Sequence, residues 1–320
     1  MNKQIIFMFS GQGSQYYQMG KELYENHPQF RYWMDHCDEL VSPLIQTSLI
    51  DVLYRGAGKS ESFDRLLYTN PALLCIEYSL VKVLKEMGIQ PDFLMGYSLG
   101  EITASVVSGV ISLDEGIQLV VGMSRHVEEK VQSAEMLAIM ESKIIMTEFP
   151  DLFRHCWVTG TNFQKNFVVC GLSNTIKDLE EGLNKKDILS QILPVKYGFH
   201  TELIDPYEEE YKQLVRKLNL LPIGIPIISS LKTEIIQEFN EDYLWEVIRL
   251  PVNFEKTIDW ILQKDDYIFI DVGPSGSLAT FVKYILPTNS GSIALQMINQ
   301  FGKDLNSIEK LRSSLFVNAS

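Results

Sequence analysis

Chemistry in this sequence concentrates in three groups of residues. The first is Gly96-Tyr97-Ser98-Leu99-Gly100, a G-x-S-x-G pattern. Its glycines permit the tight strand-to-helix turn that lifts a serine above a sheet. The Leu99 N–H, at the start of the following helix, can donate to an oxygen that develops negative charge. The pattern alone is weak, and an idle serine in an ordinary turn competes with it. The short apolar segment before it and the helical segment after it favour the nucleophile. The second group is a base. A serine hydroxyl needs one nearby before it can act as a nucleophile. Of His27, His36, His126, His155 and His200, the first three fall on helical segments or their flanks among charged residues, and His155 has no partner signal. His200, in Tyr197-Gly198-Phe199-His200-Thr201, sits in a loop before a new helix, where a catalytic base can be presented. Spacing leaves a purely structural role for this histidine open. The third group is Gly11-Gln12-Gly13-Ser14-Gln15, a turn able to aim a backbone N–H into a cleft, although taken alone it reads as an ordinary β-α turn. It lacks the third glycine of a dinucleotide fingerprint and the Gly-Lys-Ser/Thr of a phosphate loop.

These groups need elements to hold them. Residues 5–9 read as a strand running straight into the glycine turn. The pattern predicts a helix over 28–40, and another opened by Asn70-Pro71, with Ala72, Ile76, Leu80 and Val83 on one face. A proline in the first helical turn costs little, because its missing N–H is unpaired there anyway. Residues 93–95 form a buried strand, 99–108 a helix, and Ser112 with Glu115 a capping box for a helix reaching about residue 132. The β-turn-α rhythm predicts an α/β fold with a mostly parallel sheet. The rhythm then changes. Strands at 136–140, 157–162 and 167–170, a helix at 174–184 and a strand at 192–195 follow the order of a ferredoxin-like unit. The expected organisation is therefore a large α/β domain, 1–133 and 198–320, with an inserted small domain, 134–197. A charged helix over 205–218 and strands over 222–229 and 267–272 return the chain to the large sheet.

Composition narrows the function classes. The 320 residues are 46% hydrophobic and 22% charged, too apolar for disorder. Lys plus Arg is 28 and Asp plus Glu is 41, so the net charge is 28 − 41 = −13. That argues against nucleic-acid binding, which rests on neutralising phosphates. No apolar run is long enough to span a membrane, and the N-terminus lacks a signal-peptide core, so a cytoplasmic protein is expected. The four cysteines form no CxxC pair, which argues against a metal site or disulfide framework. No cofactor is expected.

Taken together, Phe9-Ser-Gly-Gln-Gly-Ser-Gln15, Thr69-Asn70-Pro71-Ala72, Gly96-Tyr-Ser-Leu-Gly-Glu101, the His200 loop, Pro251-Val252-Asn253-Phe254 and Asp271-Val-Gly-Pro274 occur in an order that resembles the malonyl-CoA:acyl-carrier-protein transacylase family. The resemblance covers nearly the whole chain. It implies an α/β-hydrolase-like large domain with an inserted ferredoxin-like small one. It also implies a Ser98–His200 dyad working through an acyl-serine, an oxyanion hole from the N–H groups of Gln12 and Leu99, and a main-chain carbonyl near Asn253 orienting the histidine. The implied partners are an acyl carrier protein and an acyl thioester, acyl-CoA included.

The sequence departs from that family at its pocket. Members that take malonyl or methylmalonyl carry an arginine, on the helix after the nucleophile helix, that pairs with the free carboxylate. A gapless count places Met123 there, and Arg125, two residues on, points elsewhere. Tyr97 replaces the family's usual histidine, Asn70 its usual glutamine, and Phe199 completes the expected pocket. On pattern alone Met123 serves equally well as core packing. A carboxylate buried against it would be unpaired. Acyltransferase-like proteins without the arginine resemble the trans-acting acyl hydrolases of polyketide assembly lines, which clear stalled acyl groups by proofreading. An acyl hydrolase is therefore expected, with acyl transfer onto a carrier protein as the alternative and a catalytically idle docking scaffold as a third reading.

Overall fold

The computed structural model describes residues 3–56 and 58–316. Two sheets organise it. The large one has the order β10-β9-β1-β2-β7-β8, built from β1 (Gln4–Phe9), β2 (Phe93–Gly96), β7 (Ile227–Ser229), β8 (Glu234–Ile235), β9 (Tyr267–Asp271) and β10 (Ile293–Gln296). Its pairs are parallel except β7 with β8. The last four residues of β1, Ile6 to Phe9, are fully buried. Such a strand is apolar on both faces because helices cover both sides of a parallel sheet. β1 and β2 end side by side, with Phe9 opposite Gly96. The glycine turn and the serine turn therefore emerge at the same carboxyl edge, the place where open α/β sheets hold ligands.

The small sheet contains β3 (Glu135–Ile139), β4 (Trp157–Phe163), β5 (Asn166–Gly171) and β6 (Ser190–Ile192) in the order β4-β5-β3-β6. All three pairings are antiparallel. With helices between its first and second and its third and fourth strands, this is the ferredoxin-like order. Its own core lies under the helix Ser173–Asn184, whose Ile176, Leu179 and Leu183 face Leu137, Phe167 and Val169. Backbone bonds from Val252 N to Thr159 O and from Thr161 N to Val252 O tie β4 to the large sheet's side of the molecule.

Most predicted elements lie where their patterns placed them, and the differences have local causes. The helix expected to open at Asn70-Pro71 begins earlier, at Leu66, so Pro71 lies inside Leu66–Glu86. Burial of Leu66, Thr69 and Asn70 rewards the extra turn. The capping box at Ser112 and Glu115 is formed on both sides, a feature generally worth about 1 kcal/mol. The single helix expected over 205–218 is a 3₁₀ segment, Glu202–Tyr207, followed by an α-helix, Glu208–Val215. Pro206 lacks the N–H that a continuous helix would use. The strand expected over 222–229 shrinks to Ile227–Ser229. The last small-sheet strand ends at Ile192, before the expected 192–195.

Candidate active site

Ser98 stands on the turn between β2 and the helix Gly100–Ser108 with φ of 54°, in the left-handed region. A serine pays for that conformation with strain, which persists only where the surroundings over-determine it. They do so here. Tyr97 N donates to Phe9 O at 2.8 Å, and Glu101 N donates to Ser98 O at 2.8 Å. A side chain at Gly96 would lie 2.2 Å from Glu101 N, and one at Gly100 would lie 2.1 Å from Phe9 O. Only glycine allows β1, β2 and the helix to close on the serine from three sides.

His200 completes the pair. Its Nε2 is 2.7 Å from Ser98 Oγ, across 102 positions of sequence. Its Nδ1 is 2.8 Å from the Leu250 carbonyl. A carbonyl can only accept, so Nδ1 carries the proton and Nε2 is left to accept from the serine. His200 also has positive φ, 63°, and its N–H donates to Ile248 O at 2.8 Å. Two carbonyls of one chain segment thus hold the ring and its backbone. The orienting carbonyl expected near Asn253 is corrected to Leu250. The Asn253 carbonyl is taken by Thr257, through both its N–H and its hydroxyl. Burial pushes the imidazole pKa down to about 4, partly offset by the Leu250 carbonyl. At neutral pH the ring is an uncharged base.

The glycine turn lies against this pair. A Cβ on Gly11 would be 2.7 Å from Tyr97 O and 3.2 Å from Ser98 Cβ. Gln12 lines the cavity beside Ser98 and His200. Among the described residues, neither Gln12 N–H nor Leu99 N–H has a protein acceptor, so both are free to serve an oxyanion. Beneath the turn, the buried Glu77 carboxylate accepts from Ser10 N at 2.7 Å and from Ser10 Oγ at 2.9 Å. Burial raises Glu77 to about 8, against the hydrogen bonds of Ser10 and Thr103.

A narrow cavity of about 50 Å³ opens from the pair, walled by Met136, Thr159, Val168, Leu193, Val195 and Phe199 together with Gln12 and Tyr97. Among the described residues no lysine or arginine lines it. A wider groove of about 440 Å³ adjoins it, sharing Gln12, Tyr97, Val168 and Leu193. Of the four expected pocket residues, Tyr97 and Phe199 are in the wall. Met123 and Asn70 are not, and this corrects the expectation. Met123 is 1% exposed and packs within the main core. Asn70 is buried and donates to Ser124 Oγ at 2.9 Å. Tyr97 reaches the small sheet instead, donating to Asn162 Oδ1 at 2.9 Å. Sequence reasoning missed the walls from β3, β4 and β5. β5 is buried at every position and β4 mixes Thr159, Thr161 and Asn162 with apolar residues, so alternation did not mark which face meets the serine. Among the described residues no group of three or more His, Cys, Asp or Glu side chains is placed to hold a metal ion, and no helix is long and apolar enough to cross a membrane.

A family model described as the acyl transferase domain matches residues 6–315. The chain belongs to the acyl transferase domain family. Among its relatives, the polyketide biosynthesis acyltransferase homolog PksD of Bacillus subtilis is 38% identical over 98% of both chains. The homolog BaeD of Bacillus velezensis is 36% identical over 98% of both. Of solved structures, a loading acyltransferase from the avermectin modular polyketide synthase superposes with a TM-score of 0.88 at 22% identity, covering 98% of this chain and 99% of that one. The malonyl CoA-acyl carrier protein transacylase of Clostridium perfringens superposes with a TM-score of 0.80 at 21% identity, covering 99% and 100%. The two-subdomain α/β architecture is that of the acyl transferase domains, and the likeness to the malonyl-CoA:acyl-carrier-protein transacylase family holds across the chain.

Proposed function

We propose that this acyl transferase family member serves polyketide biosynthesis by taking uncharged acyl groups from carrier-protein thioesters onto Ser98 and handing them to water. The observation that carries the reading is the cavity beside Ser98 and His200, lined among the described residues by no lysine or arginine. An acyl chain ending in a carboxylate would lose its water there without gaining a charge partner, whereas an apolar chain gains by burial. The sequence similarity to PksD and BaeD supports the polyketide setting.

In this mechanism His200 Nε2 takes the Ser98 proton as Oγ adds to the thioester carbonyl. The resulting oxyanion is stabilised by the N–H groups of Gln12 and Leu99. Collapse breaks the C–S bond, and the imidazolium gives its proton to the departing thiolate. Water then loses a proton to Nε2 as it adds to the acyl-serine, and the same proton returns to Ser98 Oγ when the acid leaves. Leu250 O holds the ring in one tautomer throughout.

The relatives' description as acyltransferase homologs favours a second reading, in which a carrier-protein thiol replaces water at the last step. The acyl-serine is common to both. Acetyl-, butyryl- and malonyl-carrier proteins should therefore be incubated with the protein, with and without a second free carrier protein, and the products weighed by intact mass. Release of free acid with no gain of acyl on the second carrier supports hydrolysis. Acyl transfer to that carrier, faster than acid release, overturns it in favour of transfer.

A further inference from the structure

The carboxylate of Glu101 lies three residues after Ser98 and is fully buried, yet it takes no part in the acyl chemistry above. It is a junction. Its backbone N–H donates to Ser98 O. Its Oε1 accepts from Ser230 N at 3.0 Å, Ser229 Oγ at 3.1 Å and Ser230 Oγ at 3.3 Å. Its Oε2 accepts from the Tyr243 hydroxyl in a short bond. Both chain directions from these partners lead to the histidine. Tyr243 is on the helix Glu241–Arg249, whose end supplies Ile248 O to His200 N and, one residue past the helix, Leu250 O to His200 Nδ1. Ser230 O accepts from Asn253 N at 2.8 Å, fixing the other side of the same segment. Arg249 and Asp205 then form an ion pair across the His200 loop.

We propose that Glu101 is a positioning residue that sets the Ser98–His200 distance, by tying the nucleophile helix to the segment whose Leu250 carbonyl orients the imidazole. The arrangement explains why a carboxylate is buried here at all. It satisfies four donors from two separate elements at once, which a neutral side chain of similar size cannot do with acceptors alone. Without it, Tyr243 and Ser230 have no common partner, and the segment carrying Leu250 is free to shift relative to Ser98. A shift of about 1 Å in such a pair costs roughly a hundredfold in rate. The inference depends only on acyl-serine formation and is indifferent to whether water or a thiol receives the acyl group.

The test measures acylation of Ser98 by a thioester under single-turnover conditions, in wild type, Tyr243→Phe, Glu101→Gln and Glu101→Ala. Tyr243→Phe keeps the ring packing and removes one tie. It is expected to lower the maximal acylation rate by about tenfold with the half-saturating thioester concentration unchanged. Glu101→Ala, which removes every tie, is expected to lose about a hundredfold. Glu101→Gln, which keeps one acceptor oxygen and can donate its amide to the Tyr243 oxygen, should recover most of that loss. The Nδ1 proton of His200 supplies a spectroscopic check. Its downfield NMR resonance should weaken or move in Tyr243→Phe and be restored in Glu101→Gln. Folded Tyr243→Phe and Glu101→Ala variants with wild-type acylation rates and an unmoved resonance would overturn the inference. A wild-type protein that forms no acyl-Ser98 would instead overturn the proposed function, so the two failures are separable.

Discussion

Exchanging the end of the acyl chain is the sharpest probe of the cavity. Malonyl and 3-methylbutanoyl groups share one heavy-atom skeleton, so size and branching are the same and only the charge differs. Entering the cavity beside Ser98, the malonyl carboxylate meets Met136, Val168, Leu193, Val195 and Phe199. Thr159 also faces the space, but its hydroxyl is near Val168 O at 3.3 Å. His200, held neutral by burial, brings no charge. Tyr97 has already given its hydroxyl proton to Asn162. The Gln12 carboxamide is the remaining donor in the wall, and one such neutral hydrogen bond returns about 1 kcal/mol. Removing a carboxylate from water without a partner costs several kcal/mol. The balance is about 3 kcal/mol against malonyl, or roughly a hundredfold in relative acylation rate. The assay is competitive loading of wild-type protein with both thioesters, acetyl thioester serving as the competence control, read as acyl-Ser98 by intact mass. Malonyl loading within about threefold of 3-methylbutanoyl would refute the argument that an uncharged wall selects the substrate.

Five other outcomes are expected. Ser98→Ala should form no acyl-enzyme with any thioester, and unchanged thioester cleavage by that variant would end the mechanism. His200→Ala should slow acylation and deacylation alike, by about a thousandfold or more, because one imidazole serves both steps; retention of near-normal single-turnover rates would remove His200 from the chemistry. With the imidazole pKa lowered to about 4, the wild-type rate should hold as pH falls below 6 and decline only near about pH 4, where Nε2 becomes protonated. Its folded pKa lies below the unfolded one, so the associated stability is present above about pH 6.5 and lost as pH falls toward about 4. Met123→Arg should destabilise the fold by about 3 kcal/mol without creating malonyl loading, since residue 123 packs in the core and not in the cavity wall; denaturant titration beside the loading assay separates those effects. Glu77→Gln should gain stability relative to wild type as pH rises. Glu77 has a folded pKa raised to about 8, so its contribution is fully present below its unfolded pKa and lost as pH climbs through about 8. Melting curves at about pH 5 and about pH 9 would show the difference widening in the variant's favour, and parallel pH dependence would contradict it.

What depends on neighbours along the chain was readable from residue order alone. The G-x-S-x-G turn was legible because glycine at 96 and 100 and a strand and helix on either side are local requirements. The capping box at Ser112 and Glu115 was legible because both partners lie within one turn. The ferredoxin-like unit could be read from the order and spacing of its elements, although Pro206 divided a later helix that its charge pattern made continuous. What meets across long separations was settled by packing in three dimensions. It chose Leu250 over Asn253 as the carbonyl behind His200, because the register of the helix Glu241–Arg249 against the His200 loop is set by packing around Tyr243 and Glu101 and not by the motif that follows. It put Met123 into the core and drew the cavity wall from the small sheet. A helical stripe or a doubly apolar strand says that a side chain is buried, but the side chain's neighbour is fixed by how the two sheets close on each other.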